Sequence, residues 1–242
     1  MDSFKKFVAK RALSDSLPKT HQVYELIRQA IISMHLPPGA PLVEKEICAE
    51  LGISRTPLRE AILNLATQNL VVIRPGGGTF VNRIVLRQVL QGQMVRDTLE
   101  VRLTRLAARN FTTEIAPDFE LSLFQQSAAA KRRDVDAFFA LDNEFHSLVC
   151  RCAGFPDAWQ TIHMATGQLD RIRRHAFPTE NTFDLVLDEH RQIYDRIKNH
   201  DEDGAEKAFQ AQIDSIFPTI KVVKTSFPHM FDTDAVSVED IR

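Results

Sequence analysis

The chain has 242 residues, of which 44% are hydrophobic and 26% charged, with a net charge of −2. That length holds two domains with a core each, and the composition is ordinary for a soluble globular protein. Three cysteines, Cys48, Cys150 and Cys152, exclude a disulfide framework, Cys150-x-Cys152 is too little for a zinc site, and no span approaches the apolar length of a membrane helix.

The small net charge conceals an uneven distribution. Residues 1–90 hold 12 Lys and Arg against 7 Asp and Glu, a balance of +5, whereas residues 91–242 hold 18 against 25, a balance of −7. A basic front half and an acidic back half suit a chain whose front half meets a polyanion. The opening residues, MDSFKKFVAKRALSDSLPKT, carry charges throughout and lack the apolar run of a signal peptide, so the expected location is the cytoplasm.

Taken in order, residues 1–19 read as a loose basic arm. From Thr20 an apolar stripe of Val23, Leu26, Ile27, Ala30 and Ile31 predicts a helix, which HLPPGAP stops. A short helix follows around Glu44–Leu51, and Gly52 lets the chain turn. Ser54 is a suitable N-cap for the next helix, with a hydroxyl able to accept a free backbone N–H. Pro57 fits in its first turn. Leu58, Ala61, Ile62 and Leu65 form its buried stripe, and Asn69 ends it in the left-handed conformation. LVVI and GTFV, on either side of RPGGG, predict a hairpin. Residues 20–82 are therefore three helices and a two-stranded wing.

Beyond residue 82 the strand signals nearly vanish. Helices are expected at roughly 86–110, 114–132, 134–153, 155–176, 181–199 and 203–224, with Asp134 capping the third of these. The expected architecture is mainly α: an N-terminal winged helix-turn-helix over 20–82, an antiparallel all-α helical bundle over 83–225, and an unassigned polar tail over 226–242.

The segment LVEKEICAELGISRTPLREAILNLATQNLV resembles the signature of GntR-family transcription regulators, and the flanking LPPGAPL and PGGGTFV agree with it. Met34 and Asn69 stand where that family usually has glycine. The chemistry of the segment points the same way. The second helix of such a motif enters the major groove, and Arg55 and Arg59, four apart, project there from one face. Each can bond both guanine acceptors at once. Ser54, Thr56 and the helix's exposed N–H groups suit phosphate, and Lys45 suits a backbone contact. Gly77 and Gly78 allow the wing to approach the minor groove. Two arginines alone describe a solvated helix face. Joined to the wing, the motif and the absence of acidic residues between Glu60 and Asp97, they describe a reader of double-stranded DNA.

VRDTLEVRLTRLAARN, ALDNEFHSLV and DEHRQIYDRI resemble three motifs of the FadR-type effector domain called FCD; Arg96, Glu100, Ala107 and Ala108 fit the first. Asp142 and His146 are four apart on one helical face, beside the apolar stripe Phe138, Leu141, Phe145 and Leu148. Buried there, a carboxylate and an imidazole cost several kcal/mol unless paired or ligated. With His190 from another helix they suit a divalent metal: zinc, nickel or manganese. The resemblance implies one Asp and three His as ligands, and the third histidine's place is taken by Gln212. Three readings follow: Gln212 is a weak oxygen ligand, water completes the shell, or a polar cluster serves without metal. Arg96, Arg102, Arg171 and Arg174 are candidates to hold an anionic effector, a small organic acid such as a sugar acid or dicarboxylate.

The resemblance implies a homodimer that reads a near-palindromic operator, a bacterial repressor whose DNA affinity an effector modulates. The rival from another class is an all-helical metal-dependent phosphohydrolase, whose His-Asp signature is matched by His200-Asp201. That dipeptide lies in the hydrophilic turn KNHDEDG, where ligands cannot be buried, and no nucleophile–base pair or phosphate loop accompanies it.

Overall fold

A computed structural model describes residues 2–9, 11, 13–177 and 182–232. The chain forms two compact units. The first comprises Met1–Val89, Gly167–Arg171 and the described residues from Phe227 onward; the second comprises Leu90–Thr166 and Ile172–Ser226.

In the first unit, helices α1 (Asp2–Val8), α2 (Lys19–Ile32), α3 (Glu44–Leu51) and α4 (Arg55–Thr67) precede strands β1 (Val71–Arg74) and β2 (Gly78–Val81). The stripe of α2 and that of α4, Leu58, Ala61, Ile62 and Leu65, meet in one core with Ile47 of α3. The strands pair antiparallel, Val71 with Val81 and Arg74 with Gly78. Residues 39–42 run along the wing: Gly39 and Leu42 donate to Val81 and Thr79, and Val81 N–H donates back to Ala40. The turns follow backbone chemistry. Gly52, at φ 63°, ends α3, and Asn69, at φ 56°, lets Leu70 N–H reach Leu65. Met34 takes the same left-handed conformation at φ 62°, where a Cβ is strained.

Three expectations are corrected here. The arm is no loose segment: α1 buries Phe4, Phe7 and Val8 in the core of this unit, because apolar residues three and four apart make an amphipathic turn. Ser54 occupies the N-cap of α4, but its side chain makes no capping bond, leaving its hydroxyl exposed. The start of the tail is ordered, with Met230 and Phe231 buried and Ile84 bridged to Phe231; residues 233–242 lie outside the described residues.

The second unit is helical: α5 (Leu86–Asn110, entering at Leu90), α6 (Ala116–Lys131), α7 (Val135–Cys152), α8 (Ala158–Ala165), α9 (Gly167–Ala176, joining at Ile172), α10 (Thr182–Lys198), α11 (Glu202–Asp214) and α12 (Ile216–Ser226). Asp134 caps α7 as expected, accepting from Ala137 N–H. The helix expected at 155–176 is two, broken at Thr166, and the last is also two, broken at Ser215 with Pro218 in the first turn of α12. A proline is tolerated at that position because its missing N–H has no intrahelical partner. Phe119, Phe145, Phe209 and Ile197 centre the core. Cys152 Sγ donates to Ala107 O, and burial pushes its thiol up to about 11 and that of Cys150 to about 12, so both serve as core filler.

Two measurements check this packing. Phe4→Ala is expected to cost about 3–5 kcal/mol in urea unfolding of the first unit; a loss below a tenth of that would place α1 off the core. Met34→Gly is expected to raise stability by about 1 kcal/mol by relieving the left-handed backbone, seen as a higher urea midpoint at unchanged slope.

Candidate functional site

In the first unit, Lys45, Ser54, Arg55, Thr56, Arg59, Gly77 and Gly78 are all exposed. The Arg59 side chain is 63% accessible, yet held in place: its Nε donates to both Glu44 carboxylate oxygens at 3.1 and 3.2 Å. The bond to Glu44 is made through Nε alone, and the two terminal nitrogens of a guanidinium are the pair that can bond a guanine edge. Glu44 thus orients Arg59 from α3, a role the sequence does not announce because the two are fifteen residues apart. In the wing, Gly76 and Gly78 adopt φ 68° and 97°, and a Cβ at Gly77 would lie 3.2 Å from that of Arg74. Glycine is thus built into the whole tip. Arg74 stacks over the Phe80 ring at 5.0 Å, which adds a cation beside the tip.

In the second unit, α7 carries Asp142 and His146 to its buried face and α10 carries His190, all three under 3% exposed. Their ligand atoms lie within 4.8 Å of one another. Asp142 Oδ1 is 3.6 Å from His190 Nε2 and 3.9 Å from His146 Nε2. Ligand atoms ~2.0 Å from a tetrahedral ion would be ~3.3 Å apart, so the two Asp142 distances are within a few tenths of an ångström of that spacing, while the set as a whole must draw in further to close on an ion.

The histidine rings are already oriented. His190 Nδ1 is 2.7 Å from Gln126 Oε1, which can only accept, while Gln126 Nε2 donates to Ser122 Oγ and the Leu141 carbonyl. The ring proton therefore sits on Nδ1, and the Nε2 lone pair points into the cluster with no hydrogen-bond partner. Burial, above all, depresses the His190 pKa to about 3, which keeps the ring neutral and fit to ligate. Phe145 stacks on it at 4.1 Å. His146 Nδ1 lies 2.7 Å from Glu100 Oε2, off the line of a good hydrogen bond, and Trp159 lies parallel to its ring at 6.2 Å.

Two arginines complete the cluster. Arg96 Nε donates to Glu100 at 2.7 Å, and its Nη2 reaches His146 Nε2 at 3.1 Å. Arg173, from α9, binds Asp142 Oδ2. Burial alone would raise both carboxyls; for Glu100, Arg96 and His146 outweigh it, and for Asp142, Arg173 leads, so each is held below the usual range. Gln212, 9% exposed, faces the same cavity of about 120 Å³, with an unpartnered amide oxygen. Glu189, hydrogen-bonded to Gln212, lines it too; burial, then the charge of Asp142, pushes its carboxyl up to about 7.

Of the four arginines expected to hold an effector, only Arg96 lines the cavity. Arg102 points to solvent, and Arg174 donates to Asp136 at 2.7 Å. Arg171 is fully buried in the first unit, where it donates to the Asn82 carbonyl. Spacing singled out Arg171 and Arg174, whereas Arg173 is the residue that reaches the cluster. The signal was the apolar stripe Leu169, Ile172 and Ala176, beside which Arg173 falls. His200 and Asp201, the rival's signature, have structural duties: His200 Nδ1 meets the Ala108 carbonyl, and Asp201 caps α11 through Gly204 N–H.

Comparison with known proteins agrees with both halves. Residues 19–81 match the bacterial regulatory proteins of the gntR family, and residues 93–215 match the FCD domain. The chain is 32% identical over 212 residues to the HTH-type transcriptional repressor RspR of Escherichia coli, covering 88% of this chain and 93% of that one. It is 26% identical over 230 residues to the galactonate operon transcriptional repressor of Escherichia coli, covering 86% and 99%. The solved structure of E. coli McbR/YncC shares the fold with a TM-score of 0.74 at 21% identity, over 87% of this chain and 99% of that one. The relatives are transcription regulators rather than enzymes, and no described helix is long and apolar enough to cross a membrane. With a DNA-reading helix and wing in one unit and an FCD helical domain in the other, the chain belongs to the GntR family of transcription regulators, in its FadR-type subfamily.

Proposed function

We propose that this regulator is a dimeric repressor that reads a near-palindromic operator, and that a small organic acid bound with a divalent metal in the FCD domain sets its operator affinity. The observation that carries the ligand half is the unpartnered Nε2 of a neutral His190 aimed at Asp142 and His146.

The donor set fits a metal. Asp142, His146 and His190 would hold it, with the free amide oxygen of Gln212 or a water at the fourth position. Zinc, nickel and manganese all suit one carboxylate and two imidazoles. When bound, the ion supplies a positive centre on which an effector carboxylate can rest.

Charge balance indicates the effector. Arg96 and Arg173 offset Glu100 and Asp142 within the cluster. A divalent ion adds two positive charges in a place where uncompensated charge is costly, and an anionic ligand offsets them. The cavity of about 120 Å³ suits a small acid. Thr182, Ser215 and Thr219 line it and can bond hydroxyls, a surface suited to a sugar acid, the class named by the galactonate operon relative. Arg96 and Arg173 give such a carboxylate two guanidinium partners.

In the first unit, Arg55 and Arg59 face the bases while Ser54, Thr56 and Lys45 hold phosphates and the glycine tip follows the minor groove. Effector changes operator affinity only by the difference in its affinity for the two protein states, typically about 1–3 kcal/mol.

Arg59→Ala is expected to weaken cognate operator binding by about 1–3 kcal/mol in a gel-shift titration and to relax base preference; an unaltered footprint and affinity would remove the arginine from the reading. Protein purified without added metal is expected to carry about one divalent ion per chain in elemental analysis, and His190→Ala to abolish it. A thermal-shift series with galactonate and dicarboxylates, with and without chelator, is expected to show stabilisation that the chelator removes. Metal-free protein with undiminished acid binding would end the metal assignment.

A further inference from the structure

The FCD resemblance implies a third histidine at position 212, where this chain has Gln212. An amide differs from an imidazole in carrying a neutral carbonyl acceptor and an NH2 donor on one planar group. The two ends of Gln212 meet different surroundings. Its NH2 donates to the carboxylate of Glu189, which α10 brings beside α11. Its oxygen is buried without a hydrogen-bond partner, and Gln212 lines the cavity together with Arg96 and Arg173. The amide cannot turn over, because the reverse orientation would set its oxygen against the Glu189 carboxylate, acceptor against acceptor. Glu189 is therefore a positioning residue that keeps one acceptor directed away from itself.

We propose that Gln212, held by Glu189, selects hydroxy acids, its amide oxygen accepting a hydrogen bond from a hydroxyl of the bound acid. This rests on the reading above that a small organic acid occupies the cavity. A buried acceptor left unpaired is costly, and a ligand that brings a donor recovers the cost. A site built around such a group rejects the analogue that lacks the donor. A hydroxyl or an ammonium could supply it. Arg96 and Arg173 already put two cations on the cavity, and a third would be repelled. A hydroxyl brings the proton without the charge. Nor is Gln212 needed as a metal ligand, since three protein groups with water or ligand at the fourth position are an ordinary zinc set.

Isothermal titration of the full chain with acids paired by carbon number and charge tests this: malate against succinate, glycerate against propionate, galactonate against hexanoate. In a pair that binds, the hydroxylated member is expected to bind about tenfold tighter or more. Gln212→Leu, close in volume, is expected to bring the two members within about threefold, at unchanged circular dichroism and unchanged metal content. Glu189→Leu is expected to narrow the preference as well, and Glu189→Gln, which keeps an acceptor for the amide, to retain most of it. No binding by any acid would overturn both this inference and the acid reading. Equal affinities within each pair, or a preference that survives Gln212→Leu, would overturn the role of Gln212 and leave the acid reading standing. So would loss of metal from Gln212→Leu, which would make its oxygen a ligand, or aspartate binding more tightly than malate.

Discussion

The buried contact between Arg173 and Asp142 is the constraint around which the polar cluster of the FCD domain is organised. Removing a carboxylate from water costs several kcal/mol, and a guanidinium bonded to it is one of few groups that offset the loss. Arg96 does the same for Glu100. A cluster of four buried charged groups is a poor way to stabilise a helical bundle, since apolar side chains of the same volume commonly do as well or better. What it does provide is two guanidiniums and a free amide oxygen lining one small cavity, with the unpartnered Nε2 of His190 beside Asp142. The surrounding rings of Phe145, Phe209 and Trp159 pack against the imidazoles and fix their orientation.

The first unit uses charge in the opposite way. Most of its cations are presented to solvent, where phosphate and base edges can reach them, and Arg59 is held in place through Glu44. A buried pair is present as well: Arg28 of α2 donates to Asp170 at 2.7 Å, with both side chains at most 2% exposed. Asp170 and Arg171 are in the first turns of α9, and both belong to this unit; Arg173, two residues on, belongs to the other. Neighbouring residues of one helix thus project in different directions and serve different cores.

Much of this was legible in the chain. The GntR and FCD motifs are contiguous strings, and helical periodicity suffices to put Arg55 beside Arg59 and Asp142 beside His146. Other features depended on partners remote in sequence. Phe4 and Phe7 looked like part of a basic arm because lysines surround them, and only the core they enter shows their purpose. Arg171 and Arg174 looked paired by spacing; the break at Thr166 sets the phase of α9, and that phase turns Arg173 toward Asp142 instead. Ser54 has the chemistry of a cap but makes no capping bond in this fold.

What the sequence determined by itself was local: the helices and wing, the order of the two domains, the one-signed charge of the DNA-reading stretch, and the residue types of the ligand cluster. These follow from short-range rules of period, turn and motif. The tertiary structure decided the pairings: Glu44 with Arg59, Gln126 with His190, Arg173 with Asp142, and Gln212 beside Glu189. Hydrogen bonds and desolvation act over a few ångströms in space, whatever the separation along the chain, so they become readable only once the helices have packed.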